Sequence, residues 1–177
     1  MSQQETTIAT VVYLITNDSI CLAQKKQSIH TKSKELKKSK MTWNGYGGKR
    51  EKEDVSVRDT AVRELFEEST VVTYPENLVP AGKLNFFWEG NKTKIADMEV
   101  YFFFCGTWQG TPVETDAMGA PHFFEIGAIP YDDMMENDRN FLPKMLNNEK
   151  VVADVFFVEK DGKREVESHM LEEELFV

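Results

Sequence analysis

Three glutamates, Glu64, Glu67 and Glu68, occupy positions i, i+3 and i+4 of a segment whose apolar residues follow a helical period. On a helix, these carboxylates fall within an arc of about 100° and repel one another. A divalent cation relieves such repulsion, and ligands that are all oxygen favour Mg²⁺ or Mn²⁺ over zinc. Arg63 precedes Glu67 by four residues, a spacing that allows an ion pair. The other interpretation is an acidic face that only contacts solvent, as charged clusters commonly do.

A glycine-rich segment precedes this helix and is able to bring its backbone close to a ligand. Three of the four residues from Gly45 to Gly48 are glycine, which permits unusual backbone angles and close approach. Ser56, with Asp59 three positions later, is typical of a capping box and predicts a helix over Val57–Ser69. The predicted apolar side of this helix comprises Ala61, Val62, Leu65 and Phe66. The sequence therefore predicts a loop and a helix that together position the carboxylates.

Short apolar runs with strand-like alternation make up most of the remaining chain. The predicted strands cover residues 7–15, 19–24, 81–88, 95–105, 122–126, 151–158 and 164–168. Asn17-Asp18 and Asp161-Gly162 are typical of turns between hairpin strands. A second helix is predicted over residues 139–148, and a short one after Pro130. Strands and helices mix without regular alternation, which favours a single α+β domain over residues 1–177, with a mixed sheet flanked by helices.

Composition argues against several classes of protein. The 177 residues carry a net charge of −9, which disfavours a protein that wraps polymeric nucleic acid with a basic face. Two cysteines are too few for a disulfide framework or a four-cysteine zinc site, and they favour a reducing, cytoplasmic setting. No apolar run approaches the roughly 20 residues of a membrane span, so no membrane partner is expected. Seven lysines from Lys25 to Lys40 form a basic stretch, which is either a solvated loop or an arm that attracts a polyanion.

The glycine loop and the acidic helix together resemble the Nudix box. Its pattern G-x5-E-x7-R-E-U-x-E-E-x-G-U, with U aliphatic, is matched by Gly48 and by the run from Arg63 to Glu68. The resemblance implies an α/β/α sandwich whose box binds divalent metals, in an enzyme that cleaves nucleoside diphosphates linked to another group. It implies that the metal ligands are the Gly48 carbonyl, Glu64, Glu67 and Glu68. The implied catalytic residues are Arg63, Glu67 and Glu68, with either glutamate as the base.

The match departs from the family pattern in the loop and at the end of the helix. Gly48 and Arg63 are one residue farther apart than in the pattern, so the acidic residue of the loop is displaced to Asp54 or Glu53. Thr70 replaces the second glycine of the box, so the helix is expected to end without a left-handed glycine. The half of the box that binds metal is intact.

The resemblance extends beyond the box to the oxidised-purine nucleoside triphosphatases, the MutT-homologue branch of the family. It is carried by residues 43–49, 110–116 and 129–134. A purine pocket needs an apolar slot and a few polar groups that read the edge of the base. The resemblance implies that the substrate-binding residues are Asn44, Phe86, Met98, Met135, Asn137, Asp138 and Phe141. It also makes Lys25 and Lys49 the candidate phosphate-binding residues.

Differences from that branch leave the substrate open. Met135 stands where the branch has a stacking Trp, and Asn137 replaces an Asp. Ala117 occupies the position of an auxiliary carboxylate, for which Asp116 or Glu114 would have to substitute. The expected reaction is cleavage of an 8-oxo-dGTP-like triphosphate to the monophosphate and pyrophosphate, with Mg²⁺ or Mn²⁺. The alternatives are a Nudix hydrolase of ADP-ribose, a dinucleotide or an unoxidised dNTP, or a non-catalytic nucleotide-binding module.

Overall fold

A computed structural model of the chain describes residues 5–26, 41–91, 93–175 and 177. The strands are β1 Thr7–Ile15, β2 Ser19–Gln24, β3 Trp43–Asn44, β4 Leu78–Phe87, β5 Met98–Cys105, β6 His122–Glu125, β7 Val151–Lys160 and β8 Lys163–Met170. The helices are α1 Val57–Ser69 and α2 Asp138–Leu146, and short 3₁₀ turns cover Pro75–Asn77, Ile126–Ala128 and Tyr131–Asp133. The part of the predicted basic stretch from Lys32 to Lys40 lies outside the described residues. None of the helices in the described ranges is long and apolar enough to cross a membrane.

The strands of the described residues form one mixed sheet. Its order is β2-β1-β5-β4-β7-β8, and both β3 and β6 pair with β2 at one end. β1 runs parallel to β5 and β4 runs parallel to β7, whereas the other neighbouring pairs are antiparallel. The sheet therefore places β1, β5, β4 and β7 side by side at its centre, although they are far apart along the chain.

Apolar residues cover both faces of this sheet, and one helix packs on each face. On the first face, α1 shares a core with β1 and β5 through residues such as Leu65, Val12 and Phe103. On the opposite face, α2 shares a second core with the same strands, through residues such as Leu142 and Phe102. Consecutive residues of β5 lie in different cores because side chains alternate along a strand. The architecture is the expected α/β/α sandwich with a mixed sheet.

Most predicted elements are confirmed, with ends that differ by a few residues. β1, β2 and α1 have the predicted bounds, and hairpins form across Asn17-Asp18 and Asp161-Gly162. Asp161 and Gly162 have φ values of 52° and 72°, the left-handed pair that a tight two-residue hairpin turn needs. The short strand β3 and the turns at Pro75–Asn77 and Ile126–Ala128 have no clear signal in the sequence, because two or three residues are too few to show a period.

The buried side of α1 differs from the prediction. Leu65 is fully buried, but Phe66 is 52% exposed. Each residue advances by about 100° around a helix, which carries Phe66 past the edge of the face that Leu65 buries. Glu68 lies on that buried face instead, with 5% of its surface exposed. Phe66, which was predicted to share the apolar side with Leu65, is therefore not part of the buried face, and a carboxylate takes part in the packing.

Both ends of α1 are capped by local hydrogen bonds. The Asp59 N–H donates to Ser56 Oγ at 3.2 Å, and the Ser56 N–H donates to the Asp59 carboxylate at 2.8 Å, which confirms the capping box. At the other end, Thr70 has a φ of 64°, and its N–H donates to the Phe66 carbonyl at 2.8 Å. The helix thus ends in a left-handed residue that is threonine, although a β-branched side chain disfavours this conformation.

Replacement of Thr70 by glycine is expected to raise the free energy of unfolding by about 1 kcal/mol, because a left-handed non-glycine residue costs roughly 1–2 kcal/mol. Urea denaturation measures the change. Asn148→Gly is the matched control, since Asn148 also has a positive φ of 61° but asparagine tolerates this region. Its gain is expected to be smaller, and a loss of stability in Thr70→Gly would contradict the strain at Thr70.

Candidate active site

The glycine segment packs directly against β1 and α1. The Thr10 N–H donates to the Gly48 carbonyl at 2.9 Å. A Cβ atom on Gly47 would lie 1.9 Å from the Thr10 carbonyl oxygen, and one on Gly48 would lie 2.5 Å from the Glu64 carboxylate. A side chain at either position would collide with backbone or with a carboxylate, so glycine is needed for the close approach. The loop backbone therefore lies beside the acidic helix.

Glu68 connects α1 to this loop. Its side chain is 7% exposed, and its Oε2 accepts a hydrogen bond of 2.8 Å from the Gly47 N–H. Its Oε1 lies 3.4 Å from Lys25 Nζ, which also donates to the Gly47 carbonyl at 3.3 Å. A buried charge requires such partners, and Glu68 has one backbone donor and one ammonium group.

Arg63 ties the rest of the acidic helix to the loop. Its Nε and Nη2 donate to the two carboxylate oxygens of Asp54 at 2.9 and 2.8 Å, and the Asp54 side chain is 6% exposed. These bonds hold the pKa of Asp54 well below its usual range. Arg63 Nη1 lies 2.9 Å from Glu64 Oε1 and 3.3 Å from Glu67 Oε2. The predicted Arg63–Glu67 ion pair is therefore present, as part of a larger network.

Asp54 is the acidic loop residue whose position the sequence left open. It follows Gly48 by six residues, which is the spacing of the pattern, so the extra residue falls between Asp54 and Arg63. Glu53, the other candidate, is exposed. The Glu51 N–H also donates to the Asp54 carboxylate at 2.9 Å, which fixes the loop around it. The insertion thus leaves the connection between loop and helix intact.

The three glutamates share one side of α1 but differ in their surroundings. Glu64 is partly buried, and burial raises the pKa of its carboxyl group despite the ion pair with Arg63. Glu67 is more open, with a side chain that is 55% exposed. Within the described residues, no three acidic, histidine or cysteine side chains converge to hold a metal ion. The donors nevertheless fit a hard divalent cation, because all are oxygens and both Glu64 and Glu68 lie against the glycine segment.

A cavity of about 670 Å³ opens beside this loop, on the α2 face of the sheet. This volume is within the usual range of about 300–1,000 Å³ for ligand pockets. Its walls are mainly apolar and include Phe86, Trp88, Met98, Phe102, Met135 and Phe157. Gly47, Gly48, Lys25 and Lys49 also line it. Because Gly47 contacts Glu68, the cavity adjoins the acidic helix.

Asn44, Asn137 and Asp138 supply polar groups to this cavity. Asn44 Nδ2 donates to the Thr42 carbonyl at 2.8 Å, which orients the amide. Asn137 is buried, and its Oδ1 has no hydrogen-bond partner in the described part of the chain. Asp138 accepts a bond of 3.1 Å from the Met135 N–H, and burial raises its pKa to about 7. An unpaired amide oxygen and a carboxyl group that is half neutral near pH 7 can both read a ligand edge.

Comparison of the sequence with models of known protein families agrees with this arrangement of loop, helix and cavity. A family model described as the NUDIX domain matches residues 5–167. The chain belongs to the NUDIX domain family. It is a NUDIX hydrolase that acts on phosphoanhydride bonds, and NUDIX hydrolases generally use divalent metals.

Several known proteins are similar to this chain. The oxidized purine nucleoside triphosphate hydrolase of Mus musculus is 32% identical over 131 residues, which cover 71% of this chain and 80% of that protein. The crystal structure of a MutT protein from Bacillus halodurans has a TM-score of 0.70 at 15% identity and covers 95% of this chain and 99% of that chain. An ADP-ribose pyrophosphatase from Streptococcus suis has a TM-score of 0.56 at 19% identity and covers 81% and 92% of the two chains. At these identities, the two structures support the NUDIX fold alone.

Most residues predicted for the NUDIX site come together in one region. The cavity is lined by the predicted residues Asn44, Phe86, Met98, Met135, Asn137, Asp138, Lys25 and Lys49. Phe141, which was also predicted, lies on the side of α2 that packs into the core and is 3% exposed, and its role in substrate binding stays a prediction. The possible substitutes for the auxiliary carboxylate lie elsewhere. Glu114 pairs with Lys26 at 2.6 Å, and Asp116 is exposed to solvent.

The NUDIX cavity also contains residues that the sequence did not single out. Thr10 is buried there, and its Oγ1 has no hydrogen-bond partner among the described residues. Trp88 is 40% exposed, stacks on Phe86 with ring centroids 6.0 Å apart, and lies 5.0 Å from the ring of Phe157. The period of two along a strand indicates which residues share a face. It does not indicate that β7 lies beside β4, which is what brings Phe157 to Trp88.

The raised pKa of Asp138 predicts how the stability of the NUDIX domain depends on pH. Relative to Asp138→Asn, the wild-type free energy of unfolding is expected to fall as the pH rises from about 4 to about 7. Native Asp138, with a pKa of about 7, keeps a proton that an unfolded aspartate loses near pH 4. The expected slope is on the order of 1 kcal/mol per pH unit, measured by urea denaturation of both proteins across this range. If the difference in the free energy of unfolding between the two proteins does not vary with pH, the raised pKa of Asp138 is contradicted.

Proposed function

We propose that the chain is a Mg²⁺-dependent pyrophosphohydrolase that cleaves oxidised purine nucleoside triphosphates to the monophosphate and pyrophosphate. The main support is that the cavity connects the candidate base-binding residues to the acidic helix. The cavity lined by Asn137 and Asp138 is also lined by Gly47 and Gly48, which contact that helix. A ligand whose base occupies the cavity extends its phosphates toward α1. The similar mouse protein, at 32% identity, is named for hydrolysis of oxidised purine nucleoside triphosphates.

The proposed metal ligands are the Gly48 carbonyl and the carboxylates of Glu64, Glu67 and Glu68. A divalent cation held by these groups would neutralise phosphate charge and activate the attacking water. Arg63 orients the carboxylates of Glu64 and Glu67 through its ion pairs at 2.9 and 3.3 Å. Glu67 or Glu68 accepts the proton of the water. Water is thus added across one phosphoanhydride bond, and pyrophosphate leaves.

The proposed base pocket combines apolar walls with donors and acceptors. Phe86 and Met98 cover the faces of the purine ring, as aromatic and thioether side chains do well. The buried Oδ1 of Asn137, which has no partner among the described residues, is the proposed acceptor, and Asp138 donates when neutral and accepts when ionised. An 8-oxo-purine carries an N7–H donor and a C8 carbonyl where the normal purine has an acceptor and a C–H. A pocket that offers both a hydrogen-bond donor and an acceptor distinguishes the edge of the oxidised purine from that of the normal purine. Asn44, which also lines the cavity, adds an amide.

Lys25 and Lys49 are the proposed phosphate-binding residues. Both line the cavity beside the glycine segment, and an ammonium group binds phosphate as a compact point charge. These two lysines place positive charge beside the glycine segment, although the chain as a whole has a net charge of −9.

The experiment is a substrate panel with product analysis. Purified protein and Mg²⁺ are incubated with dGTP, 8-oxo-dGTP, 2-oxo-dATP, dATP and ADP-ribose, and the release of monophosphate and pyrophosphate is measured. We expect the highest kcat/KM for one oxidised purine triphosphate, with Glu67→Gln as the blank for contaminating hydrolases. Equal rates for oxidised and normal nucleotides, or no release of pyrophosphate from any of them, would overturn the proposed substrate.

A second candidate substrate is a larger dinucleoside or sugar-linked diphosphate such as ADP-ribose. The aromatic wall favours it, because Trp88 and Phe157 add apolar surface to the cavity beside that of Phe86 and Met98. Met135 also leaves the rim adaptable, with a flexible thioether that is 55% exposed. In the same panel, hydrolysis of ADP-ribose would give AMP and ribose 5-phosphate in place of pyrophosphate.

A further inference from the structure

Each glutamate of the acidic helix is paired with a cation that the protein itself supplies. Arg63 lies 2.9 Å from Glu64 and 3.3 Å from Glu67, and Lys25 lies 3.4 Å from Glu68. These are the carboxylates to which the proposed function assigns a divalent metal. A metal ion that binds the same oxygens therefore competes with a resident positive charge.

The two resident cations differ in how firmly they are held. Arg63 is anchored by its bidentate pair with buried Asp54 and by a bond of 3.0 Å to the Lys49 carbonyl, and its side chain is 23% exposed. Lys25 contacts Glu68 at 3.4 Å and the Gly47 carbonyl at 3.3 Å, and its side chain is 54% exposed. A lysine also has a flexible stem and three donors that turn easily to another partner. Of the two cations, Lys25 is therefore the one whose ion pair with a glutamate breaks more easily.

We propose that Lys25 is a displaceable counterion, which neutralises Glu68 until a divalent cation binds and then turns to the phosphates of the substrate. This inference rests on the proposed metal role of Glu68. Lys25 lines the same cavity as Gly47 and Lys49, so rotation of its side chain brings the ammonium group to an anionic ligand there.

This exchange makes metal affinity depend on Lys25 before any nucleotide binds. In the nucleotide-free enzyme, a divalent cation has to break the Lys25–Glu68 ion pair and meets the repulsion of a positive charge. When an anionic ligand occupies the cavity, Lys25 gains a new partner and leaves Glu68 at lower cost. Metal and nucleotide therefore strengthen each other's binding through one side chain, in addition to their direct contact.

The test measures the binding of Mn²⁺ to nucleotide-free protein. The electron paramagnetic resonance signal of free Mn²⁺ reports how much of the ion remains unbound. Lys25→Met keeps the apolar stem and removes the charge, and we expect it to bind Mn²⁺ about five-fold more tightly than the wild type. Lys26→Met is the matched control, because Lys26 is the next residue but pairs with Glu114 and with the Thr115 carbonyl, at 2.6 and 2.7 Å. It is expected to bind Mn²⁺ as the wild type does.

A second titration measures the coupling. A non-hydrolysable triphosphate analogue is expected to raise Mn²⁺ affinity less in Lys25→Met than in the wild type, because the variant has no ion pair to exchange. Unchanged or weaker Mn²⁺ binding by Lys25→Met, repeated in Lys25→Gln with folding checked by circular dichroism, overturns the inference. Glu68→Gln separates the two proposals. If it binds Mn²⁺ as tightly as the wild type, Glu68 is not a metal ligand and the proposed metal site itself is wrong.

Discussion

Replacement of Arg63 by methionine is expected to lower the free energy of unfolding by about 3–5 kcal/mol, because it leaves a buried carboxylate without its partner. The Asp54 side chain is 6% exposed and receives two bonds from Arg63, at 2.9 and 2.8 Å. Methionine fills part of the same volume but donates no hydrogen bond, so the charge of Asp54 is desolvated without compensation. Glu64 and Glu67 lose the same cation and repel each other across one helical turn.

Urea denaturation of the wild type and the variant measures this loss. Arg139→Met is the matched control, because Arg139 forms an ion pair of 2.9 Å with Asp132 while their side chains are 50% and 94% exposed. An exposed pair of this kind contributes about 0–1 kcal/mol. Equal losses in the two variants would mean that burial does not set the strength of the Arg63–Asp54 pair.

The loss caused by Arg63→Met is also expected to shrink at acidic pH. Arg63 holds the pKa of Asp54 in the folded protein below the value of about 4 that an unfolded aspartate has. A carboxyl group with a depressed folded pKa contributes stability that is fully present above its unfolded pKa and is lost as the pH falls through its folded pKa. A difference between the two proteins that stays constant into the acid range would assign the loss to packing rather than to charge.

The sequence was sufficient to predict elements whose signals are local. The start of α1 follows from Ser56 and Asp59, which satisfy each other's backbone N–H groups within four residues. The β7–β8 hairpin follows from Asp161-Gly162 in the same way, because the turn type is set by the two residues themselves. These interactions need no partner from elsewhere in the chain, and the structure agrees with them residue by residue.

Burial on α1 was harder to predict because it depends on what covers each side of the helix. By apolarity, Phe66 belongs in the core and Glu68 in solvent. The structure reverses this, since the glycine segment supplies a backbone N–H to Glu68 and Lys25 supplies a charge. Phe66 has turned past the buried face and is exposed. Tertiary partners therefore override the pattern of hydrophobic residues at this point.

In the candidate site too, local features could be predicted from the sequence and features that depend on tertiary structure could not. Its acidic half lies on one helix, so spacing along the sequence predicts which carboxylates are neighbours. Its apolar half is assembled from strands that the sheet order brings together, and Phe157 joins Trp88 because β7 pairs with β4. In α2, resemblance placed Asp138 and Phe141 in one pocket. Asp138 begins α2 and lines the cavity, whereas Phe141 lies about one turn further along the helix and packs in the core.

Replacement of Glu68 by glutamine is expected to reduce kcat about a thousand-fold, the effect of losing several kcal/mol of transition-state stabilisation at a metal site. Stability should change little, because Glu68 Oε2 accepts from the Gly47 N–H at 2.8 Å and the amide oxygen of glutamine accepts the same bond. What the variant loses is the negative charge, which the proposed metal requires and which also holds Lys25.

Pyrophosphate release and Mn²⁺ binding, measured on the same samples, assign the role of Glu68. Glu149→Gln is the control for the loss of one carboxylate, because Glu149 is exposed beyond the end of α2 and its variant should keep full activity. A fall in both kcat and Mn²⁺ affinity in Glu68→Gln identifies a metal ligand. A fall in kcat alone identifies the base that takes the proton of the water, since the charge then acts on the reacting atoms and not on the ion. A variant as active as the wild type would contradict both roles, and the burial of Glu68 would then serve only to join α1 to the glycine loop.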